Sequence, residues 1–119
     1  MKIDTKRLGQ QGEDSAVNHL VKKNYRIVER NVRLTMGEID IVAVDPTGAY
    51  LVFVEVKSGK EDDDFPAWIH FDQKKRKKYV ALAQTYLARK PDAKKDIRFD
   101  LITVFLDTQK IEHFEDVLG

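Results

Sequence analysis

The sequence predicts a single α/β domain, and three stretches carry the prediction. Ala16, Val17, Leu20 and Val21 recur at helical spacing. Residues 39–44 and 51–56 are apolar runs on either side of Asp45-Pro46-Thr47-Gly48, which reads as a β-hairpin. A second helical pattern begins after Asp72 and leads into the strongly apolar residues 97–106. The chain of 119 residues is one domain by length and can bury a core without staples.

Composition narrows the class. With 42% apolar and 34% charged residues the chain reads as an ordinary globular protein. It has no cysteine, so disulfides and thiolate metal sites are excluded, which fits the cytoplasm. Residues 1–14 hold no apolar h-region, so no signal peptide is expected. No apolar run approaches the ~18 residues of a membrane span. The net charge of +1 speaks against a uniformly basic nucleic-acid surface. The charge is unevenly spread, however: residues 74–78 are all basic and residues 61–64 all acidic.

In chain order, residues 1–11 are polar, carry no period and are expected to be loosely ordered. A helix is expected from Gly12 to about Asn24. Glu13 precedes Ala16, Val17, Leu20 and Val21 at offsets that share one face, so a carboxylate tops the buried stripe in the first turn. Complementing the helix dipole is the simpler use for it there. Residues 25–31 alternate as a strand, and a connection containing Arg33 follows. Gly37 permits a tight entry to the next strand.

The hairpin carries the most informative pattern. With a four-residue loop at Pro46-Thr47-Gly48-Ala49, Val42 faces Phe53 and Asp40 faces Glu55. Strict alternation then puts Glu38, Asp40, Val42 and Val44 on one side with Leu51, Phe53, Glu55 and Lys57. Ile39, Ile41 and Ala43 take the other, uniformly apolar side with Val52, Val54 and Val56, and that side is expected to face the core. Two opposed carboxylates in a half-buried setting repel, and a divalent cation such as Mg²⁺ relieves the conflict. An ordinary Glu38–Lys57 ion pair on a wet strand end is the alternative reading of the same charges.

The remaining chain is read as support. Residues 58–66 look like a loop, and Trp68 and Phe71 like packing anchors. Asp72 is a fitting N-cap for a helix to about Arg89, with Tyr79, Leu82, Ala83, Tyr86 and Leu87 on its apolar face and Lys75 in line with them. Cations at a helix N-terminus oppose the dipole, so residues 74–78 suggest phosphate contact. Asp100 lies inside the apolar strand with no evident partner, and Lys110–Phe114 reads as a short last strand. His19, His70 and His113 show no ligand spacing and read as structural or surface residues.

The order helix, three strands, helix, strand, with an acid on the first helix, an acid on the second strand and Glu-x-Lys on the third, resembles the PD-(D/E)XK nuclease superfamily. More closely, it resembles the YraN-like family of small bacterial proteins, which are similar to archaeal Holliday junction resolvases. Gly37-Glu38-Ile39-Asp40 and Phe53-Val54-Glu55-Val56-Lys57 are the specific part. Gly9, Gly12-Glu13, Ala16, Leu20, Asn31, Arg33, Lys75, Ala83 and Arg98-Phe99-Asp100 also match. The resemblance implies a nuclease-like (restriction-endonuclease-like) fold, a mixed central sheet flanked by helices. It implies a metal-dependent endonuclease acting on DNA, including branched DNA, or a non-catalytic nucleic-acid-binding module of the same fold. Asp40 and Glu55, with Glu13, would hold Mg²⁺ or Mn²⁺. Lys57 would position or activate the attacking water, and Arg33, Lys74, Lys75 and Lys78 would meet the DNA backbone. The resolvase-like relatives act as dimers, which implies a homodimer here. Two features depart from the pattern: no Pro precedes Asp40, and Lys57 is followed by the acidic SGKEDDDFPAW.

Overall fold

Residues 5–61, 73–90 and 95–118 are described by a computed structural model. The elements are α1 (Thr5–Lys22), β1 (Arg26–Leu34), β2 (Gly37–Val44), β3 (Tyr50–Gly59), α2 (Gln73–Arg89), β4 (Asp96–Phe105) and β5 (Ile111–Phe114). The strands form one sheet in sequence order. Neighbours are antiparallel except β3 and β4, which run parallel with α2 as the crossover between them. The fold is therefore α/β, with a mixed sheet flanked by helices.

Alternation in the strands builds two cores, one on each face. Ile41, Ala43, Val52, Val54, Ile102 and Val104 pack against Ala16 and Leu20 of α1. Val42, Val44, Leu51 and Phe53 pack against Leu82, Ala83 and Tyr86 of α2. The sequence pattern singled out one core-facing side of the hairpin, but both sides are covered. A run such as Ile41-Val42-Ala43-Val44 is apolar throughout because each face has its own helix to meet. The β2–β3 register is the expected one, with Val42 opposite Phe53 and Val44 opposite Leu51. Its turn is closed by Asp45, which accepts from the Tyr50 N–H at 3.0 Å and from the Thr47 hydroxyl at 2.8 Å. Burial pushes the Asp45 carboxyl upward, but these hydrogen bonds outweigh it and hold the group below its ordinary value.

Several boundaries differ from the sequence reading. α1 begins at Thr5, so residues 5–11 are helical and Glu13 sits in mid-helix. Lys, Arg, Leu and Gln favour a helix without any apolar period, so a turn that borders an open cleft shows no stripe. Arg33 lies within β1, which runs to Leu34, and Ser58 and Gly59 within β3. Asp100 has partners after all. It is fully buried and accepts from Arg98 Nε at 2.9 Å, Arg98 Nη2 at 2.8 Å and the Asp116 N–H at 3.0 Å. His113 Nε2 lies 2.8 Å from Asp100 Oδ2, and Arg98 Nη2 donates onward to the Tyr25 hydroxyl at 2.7 Å. This network ties β4 to β5 and to Tyr25, just ahead of β1. Residues 62–64 of the acidic run, Trp68, His70, Phe71 and the Asp72 cap lie outside the described residues.

Candidate functional site

The site forms where β2 and β3 part. Their pairing runs from Val44–Leu51 to Ile41–Val54. Beyond it, β2 continues against β1 through Ile39 and Glu38, while β3 continues against β4 from Glu55 to Gly59. Asp40 sits in the fork, and its Oδ2 accepts from the Val56 N–H at 2.8 Å. One side chain thus takes over a ladder hydrogen bond and stays at the mouth of the gap.

Strict alternation fails at this point. Ile41 packs on the α1 face and Ile39 on the α2 face, although they are two residues apart. The opposite strand changes phase in step: Arg30 pairs with Ile41 and reaches Asp14 of α1 at 2.6 Å, whereas Val32 pairs with Ile39 in the α2 core. Between them Asn31 adopts φ 53°. Glu38 and Asp40 are thereby turned toward α1, where their carboxylate oxygens and one of Glu13 all lie within 4.8 Å of one another. Asp40 and Glu55 are therefore not the directly opposed pair that alternation predicts. Glu55 is held by Lys57 Nζ at 3.2 Å, and Tyr79 of α2 lines the same cavity as its carboxylate. Its Oε2 is buried and has no hydrogen-bond partner among the described residues.

The electrostatics follow from crowding. Burial lifts the Asp40 carboxyl to about 6, with Glu55 and Glu38 adding to the rise and the Val56 N–H and Lys57 opposing it. Glu13 is raised by burial and by Asp40, against a lowering by Arg30. With its amide nitrogen facing the acids, Asn31 donates to Glu13 Oε1 at 2.8 Å, Glu13 Oε2 at 3.2 Å and Glu38 Oε1 at 3.3 Å. Oxygen donors in a strained, negatively charged cluster suit a hard divalent cation, so these residues fit the group that the family resemblance implies.

Two openings meet at the fork. A cleft of about 890 Å³ on the α1 side is lined by Gly9, Glu13, Asn31, Arg33, Lys57 and Lys60, among others. A smaller cavity of about 300 Å³ on the α2 side is lined by Phe53, Glu55, Lys78, Tyr79 and Phe99, among others. Asp40, Glu38 and Lys57 border both. Of the expected backbone contacts, Arg33 borders the first opening and Lys78 the second, while Lys74 and Lys75 border neither. Sequence reasoning missed Glu38 as a ligand candidate, and it missed Asn31 and Tyr79. Glu38 and Asn31 stood among the residues matching the family but were given no site role, and Asn inside a strand was a further signal, since the residue is depleted there.

Residues 12–104 match the family described as "Uncharacterised protein family UPF0102". The chain belongs to this family. The UPF0102 protein of Desulforamulus reducens is 37% identical, with 99% of this chain and 100% of the relative covered. That of Persephonella marina is 42% identical over 81% of each chain, and that of Clostridioides difficile 38% identical over 93% of this chain and 96% of its own. UPF0102 is the YraN family of the resemblance stated above. Among solved structures, Pyrococcus furiosus SfsA in complex with Ca²⁺ aligns with 95% of this chain and 64% of its own, at a TM-score of 0.38 and 19% identity. Among the described residues, no helix of this UPF0102 protein is long and apolar enough to cross a membrane.

Proposed function

We propose that this UPF0102 protein is a metal-dependent endonuclease that hydrolyses phosphodiester bonds in DNA, with branched or otherwise structured DNA as the substrate class, acting in the cytoplasm as a two-fold dimer. The observation that carries the reading is the convergence of Glu13, Glu38 and Asp40 at the fork, with Glu55 and Lys57 on the adjoining strand. Glu13, Glu38 and Asp40 would hold Mg²⁺ or Mn²⁺, which supplies Lewis-acid stabilisation of charge on the phosphate. Asp40 and Glu38 border both openings and are the ligands common to either approach. Lys57 is half-exposed beside Asp40 and offers an ammonium to the developing phosphate charge. Glu55 is electrostatically coupled to Asp40 and orients Lys57. Arg33 and Lys60 edge the α1-side cleft and would contact the DNA backbone there, with Lys78 doing so beyond the fork and Lys74 and Lys75 further along α2.

A second reading, a nucleic-acid-binding module without catalysis, draws on Glu55, which is engaged by Lys57 and stands outside the carboxylate cluster. One experiment separates the two. Branched, single-stranded and duplex DNA are incubated with the protein in Mg²⁺ or Mn²⁺ and then in chelator. Metal-dependent cleavage that Asp40→Asn and Lys57→Ala each abolish supports the nuclease. Salt-sensitive binding without cleavage, unchanged by Asp40→Asn, supports the module.

A further inference from the structure

Asparagine is an unfavourable residue for the middle of a strand, and a left-handed backbone there is more unfavourable still. Of the non-glycine residues with positive φ among those described, Asn31 alone lies inside a strand. Strain of this kind persists where its surroundings impose it, and it gathers at functional sites. Here its consequence is visible. On one side of Asn31 the sheet keeps one phase, with Arg30 and Ile41 toward α1; on the other side Val32 and Ile39 point to α2. Without the reset, Asp40 would share the α2 face with Val42. The same residue then offers its amide to two of the three clustered acids, Glu13 and Glu38.

We infer that Asn31 is the positioning residue of the carboxylate cluster, setting the phase of the strands with its backbone and the spacing of Glu13 and Glu38 with its side chain. The inference rests on the metal-site reading given above. The chemistry selects asparagine over its alternatives. Glycine permits the backbone but supplies no donor. Aspartate tolerates the left-handed region but adds another negative charge to the cluster. Lysine or arginine would donate, but would also neutralise the acids in place of the cation. A neutral amide spans two carboxylates and leaves their charge available to a ligand.

The test uses the full chain with Asn31→Gly and Asn31→Ala. Thermal unfolding is followed in chelator, and Mg²⁺ or Mn²⁺ affinity of the folded protein is measured by calorimetry. Asn31→Gly keeps the backbone and deletes the amide, so the melting temperature in chelator stays near that of the parent while metal affinity falls roughly 10-fold or more, as for lost orienting partners elsewhere. Asn31→Ala loses both, so it also melts below Asn31→Gly. Parent-like metal affinity in Asn31→Gly overturns the side-chain role. Equal melting of the two variants overturns the backbone role. A parent protein that binds neither ion fails before any variant is compared; that result removes the metal-site reading and this inference with it.

Discussion

Asp40→Asn is expected to make the metal-free protein more stable. Asparagine is isosteric, and its side-chain oxygen can still accept from the Val56 N–H that Asp40 now holds at 2.8 Å. What it removes is a charge that burial, Glu55 and Glu38 oppose. Lifting a carboxyl from 3.8 to about 6 corresponds to about 3 kcal/mol between its two protonation states. Relaxation of neighbours reduces this, so roughly 1–3 kcal/mol is expected at pH 7.5. Because the folded-state value is raised, the folded protein binds more protons than the unfolded chain between about pH 4 and 6. The parent therefore loses stability as pH rises through that window, and the full penalty is present above it. The variant lacks this dependence. Urea denaturation in excess chelator at pH 7.5 and near pH 4 measures both numbers. The variant should be more stable at the higher pH, and the difference should shrink toward zero at the lower. Added Mg²⁺ or Mn²⁺ should stabilise the parent and leave the variant unchanged. A variant less stable than the parent at pH 7.5, or a difference independent of pH, would refute the crowding argument.

Three further outcomes test the frame around the site. A Cβ added at Gly12 would fall on Ser58 Oγ and lie 3.1 Å from Ser58 Cβ, so Gly12→Ala should cost about 1–3 kcal/mol by denaturation. Part of that cost should be recovered in the Gly12→Ala, Ser58→Ala double variant, as neighbours in contact are non-additive. A Cβ at Gly9 meets nothing within 4 Å, so Gly9→Ala should raise stability by roughly 0.5–1 kcal/mol through helix propensity alone. Asp100→Ala should cost about 3–5 kcal/mol, because it strands the largely buried Arg98 and the His113 ring; an effect below about 1 kcal/mol in urea melts would show the network to be marginal.

Much of the site's raw material is legible in the order of residues. Asp40, Glu55 and Lys57 stand out because charge interrupts apolar runs, and a charge inside a strand needs a partner or a purpose. The register of the hairpin follows from its turn, since loop length fixes which residues face each other. Glu13 shares a face with the buried stripe of α1, so its approach to the sheet is implied by helical periodicity. The partners of Asp100 are not legible in the same way. His113 comes from the far side of a reversal, and Arg98 turns back on its own strand.

Taken by itself, the sequence determined the class of fold, the pairing of β2 with β3 and the identity of most of the acids. Those features depend on local periods and on the geometry of one turn. Only the tertiary structure decided which acids meet. Asp40 joins Glu13 and Glu38, while Glu55 is kept by Lys57. The physical reason is a left-handed residue on the neighbouring strand. Alternation read along β2 assumes an unbroken pleat, and Asn31 of β1 breaks it from across the sheet.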